Sequence, residues 1–398
     1  MVLFSLFSAI FGNFRPFSRH FCKSSLYIIP KTKNYIRVEF CQIFVAAIFL
    51  FQIFLIYSID TSVEQNFQQF FNLTIVSVVL VILAAVTTQC SWFAIAGPMP
   101  YNYIMTFMEG QGLGGIFISV LVVVLNKIFK DPETGTWYDE SSVKSFSTVY
   151  FMITVGTTLL TLVVYQLVFK KCDEYTKIYK KDDDENGQET ANLTEKLTSE
   201  STKSSLEEIP MKIILKSIHK QILSTFFTFF VFLSLFPAVL TSITSEHSNT
   251  DIFNIKQPNW TFITYALFML YSVGDWVGKK LGNIKPIPFE KENTLLTISF
   301  IRIPIFFLLF SLCDLTGTRT GVFSSSWFFI VVMAVYAVSQ GYFGCIPMGI
   351  APQVFLMKQG ENFSVKQVQN AQGRIMPVMV AVLVGGLLAG ALFSGVNG

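Results

Sequence analysis

QNFQQFFNLTIVSVVLVILAAVTTQCSWFAIAGPMPYNYIMTFMEGQGLGGIFISVLVVVLN, residues Gln65–Asn126, contains a single charged side chain, Glu109. A hydrocarbon core about 30 Å thick is crossed by roughly 20 apolar residues in a helix, so this stretch is long enough for two crossings. The break between them falls at Gly97-Pro98-Met99-Pro100, because proline has no N–H to donate and its predecessor avoids the α region. Backbone groups in lipid must find partners within the segment, which makes such runs helices. The strict alternation of a membrane β-barrel is absent.

Seven further apolar runs follow the same rule, giving nine in all: 43–59, 70–98, 101–126, 148–170, 221–245, 258–281, 296–313, 325–347 and 375–396. Across the 398 residues, 52% are hydrophobic and 14% charged, too little charge to wet soluble domains of that total size. Disorder, a coiled coil and a disulfide-rich module are excluded on the same grounds. The expected fold is an all-α polytopic membrane protein. The first 14 residues are apolar but too short to span, and their basic residues follow rather than precede them, unlike a signal peptide. They read as the end of a helix whose beginning is missing, with a re-entrant or interfacial stretch as the alternative.

Counting Lys170 at the membrane edge, alternating nine spans places 23 Lys and Arg on the side holding residues 1–42 and loops 171–220, 279–295 and 348–374, against 5 on the other. The first side is therefore cytoplasmic. Residues 171–215 are polar and highly charged and read as a flexible cytoplasmic linker. The chain thus divides into an N-terminal segment (1–42), a four-span bundle (43–170), the linker (171–215) and a five-span bundle (216–398). Two bundles joined by a long linker suit a secondary transporter, and a tether between unrelated halves is the other reading. Asn259-Trp260-Thr261 is a sequon on the non-cytoplasmic side.

The six cysteines and three histidines show no metal-ligand or disulfide spacing. No nucleophile–base pair, catalytic carboxylate dyad or nucleotide-binding motif is visible. The expectations are no enzyme, no catalytic residue, no metal, no cofactor and no nucleic-acid partner. The partner is the lipid bilayer.

Ionisable groups inside spans cost at least ~2.5–3.5 kcal/mol and face a cavity or a partner. The candidates are Glu109, Asp275, Lys279 and Arg302. Asp275 and Lys279 lie four residues apart on one helical face and can pair. Asp275 then either offers a carboxylate to a hydroxylated substrate or forms a structural ion pair. Glu109 opens Glu-Gly-Gln-Gly-Leu-Gly-Gly and is a candidate for proton coupling or for capping, and Arg302 for gating. Gln89 can present donor and acceptor together, to a ligand or to a neighbouring helix. Gly110, Gly112, Gly115, Gly386 and Gly390 read as sites of close helix packing.

Several motifs occur in order: Gln89–Gly97 followed by Pro100, Gly110–Phe117, Leu235–Val239, Asp275-Trp-Val-Gly-Lys279, Arg302 with Pro304, Ser339–Tyr342 through Ala351-Pro352, and Ala371–Met376. Together they resemble the equilibrative nucleoside transporter family over about residues 43–396. The resemblance implies a major-facilitator-like bundle of 6+5 helices, of which the nine runs supply 4+5. The first two helices are expected to be missing from the front. It implies facilitative transport of nucleosides, or nucleobases, by alternating access. Gln89 would meet the base, and Asp275 and Lys279 the ribose. Here Lys279 stands where the family has Arg, Ser272 where Asn is common and Glu109 where a small residue is usual. Lys keeps the charge without the planar fork. The expected setting is the plasma membrane rather than the vacuole, as a monomer. The alternative is a truncated or divergent membrane scaffold that does not transport.

Overall fold

A computed structural model describes residues 34–59, 64–130, 137–171, 208–236, 267–313 and 326–397. Ten α-helices make up the described chain: α1 Asn34–Ser58, α2 Glu64–Ala96, α3 Tyr101–Phe129, α4 Glu140–Leu167, α5 Met211–Ser217, α6 His219–Leu235, α7 Leu270–Ile284, α8 Glu292–Leu312, α9 Ser326–Gln359 and α10 Val365–Asn397. Each of the nine apolar runs carries a helix, and no strand is present among the described residues. Seven of the helices are long and apolar enough to cross a membrane, and an eighth crossing is made by α5 and α6 if this pair, bent by 69°, forms one span. The remaining run, 258–281, carries α7, 15 residues long, entered through a π-turn at 267–269. The sequon and most of the linker lie outside the described residues.

Helix boundaries follow local chemistry. Gly97 closes α2 through its N–H to the Phe93 carbonyl (2.9 Å), and Pro100 opens α3 with an extended ψ of 149°. Asp139 caps α4 by accepting from the Ser142 amide at 2.7 Å, and from the Ser141 and Ser142 hydroxyls. These hydrogen bonds, the Ser142 hydroxyl foremost, hold the Asp139 carboxyl below its ordinary range.

The expected cytoplasmic loop at 348–374 is mostly helical. α9 runs through Pro347 and Pro352 to Gln359, a single 3₁₀ turn covers Gly360–Asn362, and α10 begins at Val365. Hydropathy marks the part of a helix within hydrocarbon. These helices continue past it, where Lys358 bonds to Glu292 and Arg374 to Glu208. The linker likewise gives way to helix at Met211, ahead of the expected boundary at 215.

α1, α2, α3 and α4 form one bundle and α5 to α10 the other; within the second, α7 lies along α9 and α6 along α10. Two sets of contacts join the bundles, α3 against α7 and α9, and α2 against α10. The main apolar core straddles that seam. Phe93, Ile104, Met105 and Met108 from the first bundle pack with Ile346, Ile350, Ile375 and Met376 of the second. A second core, around Val231, Phe306, Phe310, Phe329 and Tyr336, is internal to the C-terminal bundle. Outward-facing side chains such as Phe40, Phe54, Leu160, Leu308 and Val331 are apolar and exposed, as a lipid-facing surface requires.

Close backbone approach sets these contacts. A Cβ on Gly386 would lie 2.6 Å from the Phe226 carbonyl oxygen, and one on Gly390 would collide with that of Phe230. Gly112 has the same role between α3 and α7, its Cβ position 3.1 Å from Trp276 Cα. Gly115 meets Ser272 at ordinary distance. Gly110 departs from expectation: it lies on the exposed face of α3 with nothing within 4 Å of an added Cβ, because residues 110 and 112 point about 200° apart around a helix. Gly386→Val is predicted to cost about 1–3 kcal/mol through overpacking and to lower the melting temperature in detergent. Gly110→Ala is predicted to leave melting unchanged or slightly raised, and equal melting of the two variants would contradict this packing.

Candidate substrate site at the bundle seam

The α3–α7 seam is polar along one edge and built from short side chains. Ser119 and Ser272 share a hydrogen bond of 2.8 Å between their hydroxyls. Two turns of α3 toward its N-terminus, Gly112 admits Trp276 and the Lys279 stem. Next comes Glu109, whose two carboxylate oxygens are both engaged across the seam, by the Asn283 amide at 2.5 Å and the Lys280 ammonium at 3.1 Å. Last, the Tyr101 hydroxyl donates to the Gly282 carbonyl at 3.3 Å. On the other side of the interface, Gly97 at the end of α2 lies so close to α10 that a Cβ would stand 2.6 Å from the Gln372 carbonyl oxygen. Both sets of close contacts lie toward the α2–α3 turn.

Asp275 and Lys279 pair as their spacing implies, with Lys279 Nζ 2.7 Å from the Asp275 carboxylate and both side chains more than four-fifths buried. The pair sits on α7 between two tight crossings. Gly278 faces Val338 of α9 on one side, and Gly112 of α3 faces Trp276 and Lys279 on the other. Trp276 adds a buried indole N–H with no hydrogen-bond partner among the described residues.

On α2 the hydroxyls around Gln89 are already used. Thr87, Thr88 and Ser91 each donate to the carbonyl four residues earlier at 2.8–2.9 Å. Half-buried Gln89 makes no hydrogen bond among the described residues, so its amide keeps its full donor and acceptor capacity. Arg302 lies elsewhere, inside the C-terminal bundle. It is 4% exposed and donates from Nη2 to Gln340 Oε1 at 2.9 Å.

The sequence marks the charged residues and the Asp275–Lys279 pair, but not the partners of Glu109 and Arg302. Asn283, Lys280 and Gln340 come from positions distant in the chain. The glycines of α7 were legible: Gly274, Gly278 and Gly282 recur at every fourth residue, and all three face α9 or α3 at distances that exclude a Cβ.

Comparison with known proteins sets this geometry in a family. The nucleoside transporter family model matches residues 75–396. Human equilibrative nucleoside transporter 1 is 26% identical over 357 residues, covering 86% of this chain and 72% of that protein. Human equilibrative nucleoside transporter 2 is 26% identical over 323 residues, covering 73% and 66%. Equilibrative nucleotide transporter 2 of Arabidopsis thaliana is 21% identical over 303 residues, covering 73% and 63%. The family match runs from early in α2 to the last turn of α10 and so takes in both bundles and the seam between them; the chain is a member of the nucleoside transporter family.

Proposed function

We propose that this protein is a facilitative carrier of nucleosides, working as a monomer in the plasma membrane by alternating access. The observation that carries the reading is the Asp275–Lys279 pair, held at the seam of two bundles in a member of a nucleoside transporter family. A ribose offers vicinal hydroxyls. Asp275 supplies carboxylate acceptors for them, and Lys279 balances its charge and adds a donor. Gln89, its amide uncommitted, suits the donor–acceptor edge of a base. The unpartnered Trp276 N–H is a further donor beside Asp275. Nucleobases, which lack the ribose, would engage Gln89 without the pair.

Cells lacking their own nucleoside uptake are predicted to gain saturable uptake of radiolabelled adenosine or uridine on expressing the chain. Asp275→Ala is predicted to reduce that uptake by about 10-fold or more, the scale of a lost hydrogen bond to a charged group. Lys279→Arg, which keeps the charge, is predicted to retain most of it. Wild-type uptake equal to that of empty vector, with surface expression verified, contradicts the reading.

Glu109 has the place of a latch rather than of a substrate contact, because both of its oxygens are held by α7. Lys280 is half exposed, so the ion pair itself contributes at most ~1 kcal/mol. Opening this edge is therefore inexpensive, as a carrier needs. Uptake is predicted to differ by less than about twofold between roughly pH 5.5 and 7.5. A several-fold rise at the lower pH that Glu109→Gln abolishes would assign Glu109 to proton coupling instead.

A further inference from the structure

The C-terminal bundle contains a buried polar layer that the seam does not use. α6 and α8 run in parallel and in register. Ser224 and Ser299 share a hydrogen bond of 2.6 Å, and the Phe227 and Phe300 rings meet at 5.3 Å. Two turns further, Tyr336 of α9 closes the layer, its hydroxyl bonded to the Phe232 carbonyl at 3.4 Å and its ring 5.0 Å from Phe306. Arg302 and Thr228 lie between these two levels. Counted at about 1.5 Å of rise per residue from the Ser224–Ser299 pair, they stand at nearly the same height. Thr225 is on the α6 face turned toward α9.

Three features of this layer go together. Arg302 is buried, and its Nε and Nη1 have no hydrogen-bond partner among the described residues. Thr225 and Thr228 are fully buried, and their hydroxyls have none either. Most threonines in α2 and α4 instead turn back onto helix carbonyls, as Thr88 and Thr158 do at 2.8 Å, with Thr74 an exception. The better-buried carboxylates of the bundle are taken: Asp275 by Lys279 at 2.7 Å, and Glu292 by Lys220 at 2.6 Å and Lys358 at 2.9 Å. The guanidinium keeps its charge at any physiological pH. The rings of Phe306 and Phe343 lie 5.7 and 5.3 Å from its centre, and Tyr271 and Tyr336 are within electrostatic range. A buried, permanent positive charge without a counter-charge is costly. The guanidinium N–H groups and the two hydroxyls can all donate to a small anion, while the unpartnered acceptor Gln221 Oε1 lies one turn before Thr225, on the side away from Arg302.

We propose that the C-terminal bundle binds a monovalent inorganic anion of halide size, held by Arg302 Nε and Nη1 and by the hydroxyls of Thr225 and Thr228. A neutral water would accept the same hydrogen bonds but leave the charge uncompensated. The site is separate from the bundle seam, and its test measures binding, so it stands or falls independently of nucleoside transport.

The purified full-length chain is melted in detergent while sodium chloride or bromide replaces sodium gluconate at constant ionic strength. The melting temperature is expected to rise and saturate with either halide, as for a ligand that binds only the folded state. The Thr225→Val, Thr228→Val double variant keeps side-chain shape and removes both donors. It is expected to need about fivefold or more halide for half the effect, the scale of losing hydrogen bonds to a charged group. Arg302→Gln is expected to lose the response. Identical wild-type melting in halide and gluconate overturns the proposal and leaves water as the partner of Arg302. A halide response unchanged in the double variant also overturns it.

Discussion

The seam between the two bundles depends on backbone approaching backbone where a Cβ does not fit. At Gly97 against Gln372 the space for even a methyl group is missing, and at Gly112 against Trp276 it is short by a few tenths of an ångström. Hydrocarbon gives helices no hydrophobic reason to prefer one another over lipid, so association rests on dispersion contacts at short range and on a few polar bonds. Glycines supply the first. Ser119–Ser272 and Glu109 with Asn283 and Lys280 supply the second. An interface so made is specific in register yet not locked by a large number of strong polar bonds, which suits parts that must separate.

The same constraint determines where chemistry sits. Most hydroxyls on the helices turn back on their own carbonyls, as Thr87, Thr88 and Ser91 do. Beside single buried polar atoms of Gln42, Gln52, Thr74, Gln221 and Ser394, the groups left with unspent capacity among the described residues include the Gln89 amide, the Trp276 N–H, two nitrogens of Arg302 and the hydroxyls of Thr225 and Thr228. In the proposed account Gln89 and Trp276 serve a solute at the seam, and Arg302, Thr225 and Thr228 an ion within the C-terminal bundle. Asp275 and Lys279 are intermediate: they satisfy each other here, and in the proposed account they exchange partners when a ribose arrives. Tyr271 and Tyr336 lie within electrostatic range of both Asp275 and Arg302, so the two polar regions are neighbours although they face different spaces.

Much of the fold was legible because hydrocarbon imposes a simple rule on sequence. Apolar runs marked every long helix, the double proline at 98 and 100 marked the α2–α3 turn, and the i,i+4 spacing of Asp275 and Lys279 foretold their pair. The rule is silent outside hydrocarbon, which is why the helical ends of α9 and α10 were read as a loop. It is equally silent about pairing in space. Glu109 and Asn283 are 174 residues apart, and Arg302 and Gln340 are 38 apart, so only the tertiary arrangement joins them. Gly110 shows the limit of counting glycines: the motif containing it is real, but only its Gly112 and Gly115 face α7.

The central claim is that the cytoplasmic edge of the α3–α7 seam must open for solute to pass. It is tested most directly by joining that edge with a short, reducible thiol cross-linker between Glu109→Cys and Asn283→Cys, in a chain whose other reactive cysteines are replaced. The account predicts that cross-linking abolishes nucleoside uptake and that reduction restores it. Full uptake in protein shown to be cross-linked would contradict it.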